Sequence, residues 1–283
     1  MLLVVCHTVA FAQPADLTPL WPAATPSSNP IRLAIQSGHI ARAATLIAAL
    51  DPPTRNLWQG ILAITQNDST AAIRALRKGD YPKALGVAYY LAGQHLLFRE
   101  QMAEAIRRDP DDFGPYYYLG RHYDSDVDNA EEAARWFRLA LERNPEYASA
   151  RSHLGNCLER LGKTEEAEAA YKASSTIALS QVGLARLRLA DGHAAAALTF
   201  VQKAIALDSR NVSARKLAAQ IYGRLNRHRD SVDVLESAAA LAPRDASIHY
   251  QLARAYQSLG DSAKSAAALR NFERLRAIYG LNQ

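Results

Sequence analysis

The sequence predicts an all-α fold, a solenoid of tandem helix–turn–helix units. Three observations carry this. Residues 212–279 read as one segment written twice at an offset of 34: Ala219 falls on Ala253, Tyr222 on Tyr256, Ser231 on Ser265, Leu235 on Leu269, Leu241 on Leu275 and Asn226 on Gly260. A fixed period of this size marks stacked supersecondary units, each resting on its neighbours. Within each copy the apolar residues recur at helical spacing, and a turn-forming residue separates the two apolar faces.

In residues 246–277, Leu252, Ala253, Tyr256 and Leu259 share one face of a first helix. Gly260 can take the left-handed conformation that ends it. Asp261 or Ser262 offers a short side-chain oxygen to the free N–H groups of the next helix. Ser265, Leu269, Phe272 and Leu275 form a second apolar face. Ala253 and Ser265 are small where two antiparallel backbones must approach closely.

Residues 1–12 are apolar but too short to span a bilayer. Ala10-Phe11-Ala12 before Gln13 fits the small-x-small cleavage pattern of a secretory signal, although the positive n-region is missing. The expectation is a signal peptide and a periplasmic or secreted location, or a cytoplasmic one if that reading fails. Residues 13–30 carry Pro14, Pro19, Pro22, Pro26 and Pro30. Proline removes donors and disfavours helix before it, which predicts an extended, mobile leader. Residues 31–78 are helical but off-pattern, with breakers at Gly38, Pro52-Pro53 and Asn67-Asp68. They read as degenerate repeats covering one end of the stack, with Trp58 packed between helices.

The repeats of residues 79–279 are clearer. The one beginning at Phe113 carries Tyr116, Leu119, Gly120, Tyr123, Ala133, Phe137, Ala140 and Pro145. Its predecessor from Gly79 carries Leu85, Gly86, Tyr89, Gly93, Met102, Ala105 and Pro110. Its successor from Ala148 carries Leu154, Gly155, Leu158, Gly162, Ala167 and Tyr171. That from Ala178 keeps Leu184, Ala185, Gly192, Ala197 and Ala204, and that from Val212 keeps Tyr222, Ala238 and Pro243. This succession resembles the tetratricopeptide repeat, and the resemblance implies six repeats in a right-handed superhelix. Two irregularities stand out. The turn at residues 124–129 carries one extra residue, and the repeat from Ala148 is short by about one helical turn. The final helix runs past its repeat length and would cap the stack.

Composition narrows the function. Lys plus Arg number 33 against 28 Asp plus Glu, a net charge of +5. This favours an acidic partner, but the arginines are spread along the chain, and no nucleic-acid interface is expected. Cys157 sits on the inner face of a first helix and reads as a small buried hydrophobe. Residues 124–129, Asp-Ser-Asp-Val-Asp-Asn, look like the start of a calcium loop, but Arg135 stands where the bidentate Glu belongs. The bland reading is an acidic turn whose aspartates cap the helix from Ala130. Gly162-Lys163-Thr164 lacks the first glycine of a phosphate loop and a preceding strand. It reads as a turn with Thr164 as cap. His153 and Cys157 have the spacing of two metal ligands but no third. No metal, cofactor or catalytic group is nominated, and the chain is read as a non-enzyme.

The family resemblance implies that first helices line a concave groove, with contacts from the second, fifth, sixth, ninth, twelfth and thirteenth positions of each repeat. The fifth and ninth positions nominate Tyr117, Arg121, Asn156, Arg186, Lys216, Gln220, Tyr250 and Arg254. Arg offers forked donors to carboxylates and Tyr a flat amphipathic surface. The expected function is a non-catalytic scaffold binding an extended peptide or a partner protein, preferably acidic. The alternative is an accessory subunit or an unrecognised enzyme of cell-envelope polymer metabolism. The Lys-and-Asn carboxylate clamp of some relatives is not assembled, because Asn156 is paired with Ser152 and Lys216 with Gln220.

Overall fold

The computed structural model describes residues 18–22 and 28–279. The signal-peptide reading of residues 1–12 lies outside them. All regular structure among the described residues is helical. It comes in consecutive pairs: α1 (Ser28–Gln36) with α2 (Ile40–Ala48), α3 (Pro52–Thr65) with α4 (Ser69–Leu76), α5 (Pro82–Leu91) with α6 (His95–Arg108), and α7 (Phe113–Ser125) with α8 (Ala130–Arg143). Then follow α9 (Ala148–Arg160) with α10 (Thr164–Ala173), α11 (Ala178–Ala190) with α12 (Ala194–Leu207), α13 (Val212–Arg224) with α14 (His228–Leu241), and α15 (Ala246–Ser258) with α16 (Ser262–Tyr279). None is long and apolar enough to cross a membrane. The chain forms two compact units, Met1–Ala150 and Arg151–Gln283.

Six helix starts have a side-chain cap of their own. Asp51, Asp68, Asp112, Asn129, Asn211 and Asp245 accept from the first-turn N–H groups of α3, α4, α7, α8, α13 and α15, satisfying donors that have no partner inside the helix. Three expectations are corrected here. Pro52-Pro53 does not break a helix but forms the first turn of α3, where a missing N–H costs nothing. The cap of α8 is Asn129, not one of the aspartates before it, and Lys163 rather than Thr164 holds the cap position of α10. Between the last two pairs the turn residues behave alike: Asn226 has φ 57° and Gly260 has φ 77°.

Within a pair, a glycine on the first helix receives a large side chain from the second. Gly86 faces Met102, Gly120 faces Phe137, and Gly155 faces Tyr171. Phe137 lies one residue further from its glycine than the other two, because the turn before α8 has its extra residue. The short repeat has lost its turn from α10, which has 10 residues against 14 in α8 and α12. A buried hydroxyl chain ties off the shortened end. Ser174 Oγ donates to Ala170 O at 2.7 Å, Ser180 Oγ lies 2.7 Å from Ser174 Oγ, and Ser180 Oγ donates to Ser152 Oγ at 2.8 Å. In the last two pairs the small contact repeats: Ser231 Oγ donates to Ala219 O at 3.0 Å and Ser265 Oγ to Ala253 O at 2.9 Å.

Leu235 is fully buried, whereas its counterpart Leu269 is 39% exposed. Leu235 lies under Ile248 and Leu252 of the next pair. No described helix follows α16 to cover Leu269 in the same way.

The leader departs most from expectation. Thr18–Leu20 forms a 3-10 turn, and Pro19, Leu20 and Trp21 are buried. The Pro19 carbonyl lies against Gly114 of α7. The Trp21 ring stands 5.9 Å from that of Trp58 on α3, with the Arg32 guanidinium 5.4 Å from its centre. Residues 18–22 therefore form a strap seated on first helices of the N-terminal unit, not a free tail. Proline excludes helix without excluding burial, and two large apolar groups outweigh a polar composition.

Candidate functional site

A cavity of about 480 Å³ opens in the C-terminal unit between α11, α13, α14 and α15. Its base is apolar, from Leu189, Ala219, Leu235 and Ala255. Its polar side is built from Gln220, Arg224, His228, Gln251, Arg254 and Ser258. The helical period explains the grouping. Gln220, Gly223 and Arg224 are neighbours on one face of α13, and Gln251, Arg254 and Ser258 recur at three and four residues along α15. Gln220, Arg224 and Arg254 are exposed while Ala219, Leu235 and Ala255 are buried, so a cationic rim surrounds an apolar base. The guanidinium groups of Arg224 and Arg254 have no carboxylate partner among the described residues. Gln251 Oε1 is buried without a donor.

Gln220 and Arg254 are thus the two nominated residues that share a cavity. The others lie elsewhere. Tyr117 is fully buried, its ring 5.0 Å from that of Tyr147, and Arg121 is buried with Nη1 donating to Tyr117 Oη at 3.2 Å. Neither presents open surface. Arg186 is committed to Glu159, with Nε to Oε1 at 2.9 Å and Nη2 to Oε2 at 2.7 Å, and it also donates to Asn156 Oδ1 at 3.2 Å. Burial pushes the Glu159 carboxyl up, but the hydrogen bonds and charge of Arg186 outweigh it and hold it below the usual carboxylate range. The Tyr171 hydroxyl, which donates to Glu159 Oε2 at 2.7 Å, is pushed up by burial and by that carboxylate. Lys216 Nζ is paired with Asp245 Oδ2 at 3.1 Å. Tyr250 is 45% exposed and packs on Phe272, 5.3 Å between ring centres.

Arg224, Gln251 and Ser258 were not nominated, yet they fall on the thirteenth, sixth and thirteenth positions of their repeats. The signal for them was present in the contact positions that the fifth and ninth alone do not sample. His228 had no such signal, because it comes from a second helix. Cys157 is fully buried, as expected.

Residues 123–176 match the tetratricopeptide repeat family. These residues belong to the tetratricopeptide-repeat family. Residues 187–279 of the same repeat array match the bacterial transcriptional activator domain. Among curated proteins, anaphase-promoting complex subunit 3 of Schizosaccharomyces pombe is 25% identical over 194 residues, covering 66% of this chain. The chain spans only 28% of that relative's length. Among solved structures, the repeat array resembles a chain of the APC/C hetero-tetramer Cut9-Hcn1, with TM-score 0.70 and 13% identity over 88% of this chain and 51% of that one. It also resembles Pseudomonas aeruginosa pilF, with TM-score 0.60 and 17% identity over 69% of this chain and 90% of that one. At these identities the likeness to the solved structures is one of fold.

Proposed function

We propose that this tetratricopeptide-repeat protein is a non-catalytic scaffold that holds an extended, acidic segment of a partner protein across the cavity between α13 and α15. The observation that carries the reading is the pair Arg224 and Arg254, two cations without carboxylate partners among the described residues, beside an apolar base. Guanidinium groups match carboxylates in a forked, charge-assisted geometry. The apolar base suits an aliphatic or aromatic side chain flanked by acidic ones. The relatives give coarser support, since anaphase-promoting complex subunit 3 and the Cut9-Hcn1 chain are components of a multi-protein assembly by their names.

The test is a displayed library of extended peptides selected on the full chain and on the double variant Arg224→Glu/Arg254→Glu. Wild type should enrich acidic peptides. Hydrogen bonds to charged groups are worth about 1.5–3 kcal/mol each, so the double variant should bind the selected peptides at least about tenfold more weakly, with circular dichroism unchanged. Equal binding by both proteins, or no acidic bias in the selection, would overturn the reading.

A further inference from the structure

The end of α7 and the start of α6 hold a cluster that the interaction reading leaves unused. Asp126, one residue past α7, reaches back to His122, with Oδ2 3.0 Å from Nδ1. His122 is 4% exposed. His95, the first residue of α6, stacks on it with ring centres 5.2 Å apart and planes at 23°. One nitrogen of each histidine and one carboxylate oxygen of Asp126 all lie within 4.8 Å of one another.

We propose that His95, His122 and Asp126 form a binding site for a divalent transition-metal ion of the zinc class, joining the N-terminus of α6 to the C-terminal end of α7. Two imidazole nitrogens and one carboxylate are the donors of a borderline ion. Calcium and magnesium prefer all-oxygen sets. The His122 and Asp126 donors already stand at the separation of two ligands on one ion, given metal bonds of about 2.0–2.2 Å. His95 offers a nitrogen within 4.8 Å of the other two donors and has the freedom to close in. It sits at a helix start, and its imidazole makes no hydrogen bond among the described residues.

The surroundings suit a ligand histidine. The rings of Phe98, Tyr123 and Tyr90 stand 5.2, 5.4 and 6.0 Å from that of His122, sealing its inner side from water. Burial is the largest influence on the imidazole and holds it below its ordinary range. Asp126 lies at the surface, its side chain 19% exposed, so the cluster sits at the edge of the fold and not in its core. The positive charge of Arg99 acts on His122. It opposes a dication, and the Asp126 carboxylate offsets it. The turn that supplies Asp126 is also the one with the extra residue, so the repeat departs from its pattern at the place where the third donor arises.

The test uses the untagged full chain, stripped by chelation and titrated with Zn2+ by calorimetry and with Co2+ by visible absorption. One ion should bind per chain, and Co2+ should show ligand-field bands stronger than those of the aqueous ion. Losing a ligand should cost at least the roughly 10–100-fold seen when supporting groups are lost, so His95→Gln and Asp126→Asn should each weaken binding by tenfold or more. His193→Gln should bind as wild type does. His95 lies at the edge of the cluster, which keeps that variant informative even if His122→Ala fails to fold. No saturable 1:1 binding, or wild-type affinity in His95→Gln and Asp126→Asn, would overturn the proposal.

Discussion

The close packing of Tyr171 makes a prediction whose sign separates it from ordinary helix propensity. The ring is held between two glycines of successive first helices. A β-carbon on Gly155 would stand 2.8 Å from Cδ1 and Cε1, and one on Gly183 would stand 2.7 Å from Cε1 and closer still to Cζ and Cε2. The ring has no room to step aside, because leaving one glycine drives it into the other. Gly183→Ala should therefore show the upper end of the overpacking range, about 3 kcal/mol. Removing a mid-helix glycine returns about 1 kcal/mol, leaving a net loss of about 2 kcal/mol. Gly223→Ala on α13 is the control, since nothing lies within 4 Å of its β-carbon. It should gain about 0.5–1 kcal/mol. Urea denaturation followed by circular dichroism reads both, as a lower midpoint for the first and a higher one for the second at unchanged slope. If Gly183→Ala is as stable as Gly223→Ala, the Tyr171 ring of α10 is not wedged between α9 and α11 and the reasoning is refuted.

Two further outcomes follow from the same structure. Glu159→Gln leaves Arg186 without its carboxylate in a site where the two side chains are 22% and 35% exposed, which should cost about 1–3 kcal/mol. Because the folded carboxyl is depressed, that contribution is full above the unfolded value near about 4.3 and is lost as pH falls through the lower folded value. The variant's stability should therefore flatten across that acid range, and a wild-type pH profile in the variant would count against the pair. Trp21→Ala should unseat residues 18–22 from Trp58 and speed thermolysin cleavage before α1. An unchanged cleavage rate would mean the strap is not held by that ring.

The period of the chain was readable because each repeat solves the same problem. Close backbones demand Ala219 and Ala253, and the left-handed turn demands Asn226 and Gly260. Burial at the strap was not readable. The five prolines of residues 13–30 speak of backbone, whereas Leu20 and Trp21 are anchored by surface that lies far along the chain. Charge pairing was hidden for the same reason. Arg186 and Lys216 look free in the sequence, but their carboxylates lie 27 and 29 residues away. Only a fold of known register brings Glu159 and Asp245 to them.

That pairing also explains which repeat positions are open to a partner. Lys83 and Lys216, both at the fifth position, bond the cap aspartates of the next pair, Asp112 and Asp245, at 2.6 and 3.1 Å. Each carboxylate is shared. Its Oδ2 takes the lysine while its Oδ1 accepts from a first-turn N–H at 2.9 Å, from Gly114 or Ser247. Burial raises the Asp245 carboxyl, but the bonds from Ser247 and Lys216 prevail and hold it low. Where the next cap is the neutral Asn211, the fifth position is the apolar Val182. Where α11 has no side-chain cap, the fifth position is Ser152, bonded instead to Ser180. In these four repeats the residue at the fifth position matches what the neighbouring pair offers it. Such a position is occupied by the stack itself. On the proposed scaffold reading, recognition would fall to first-helix positions whose charges no described residue pairs with, and in the C-terminal unit Arg254 at the ninth and Arg224 at the thirteenth meet that condition.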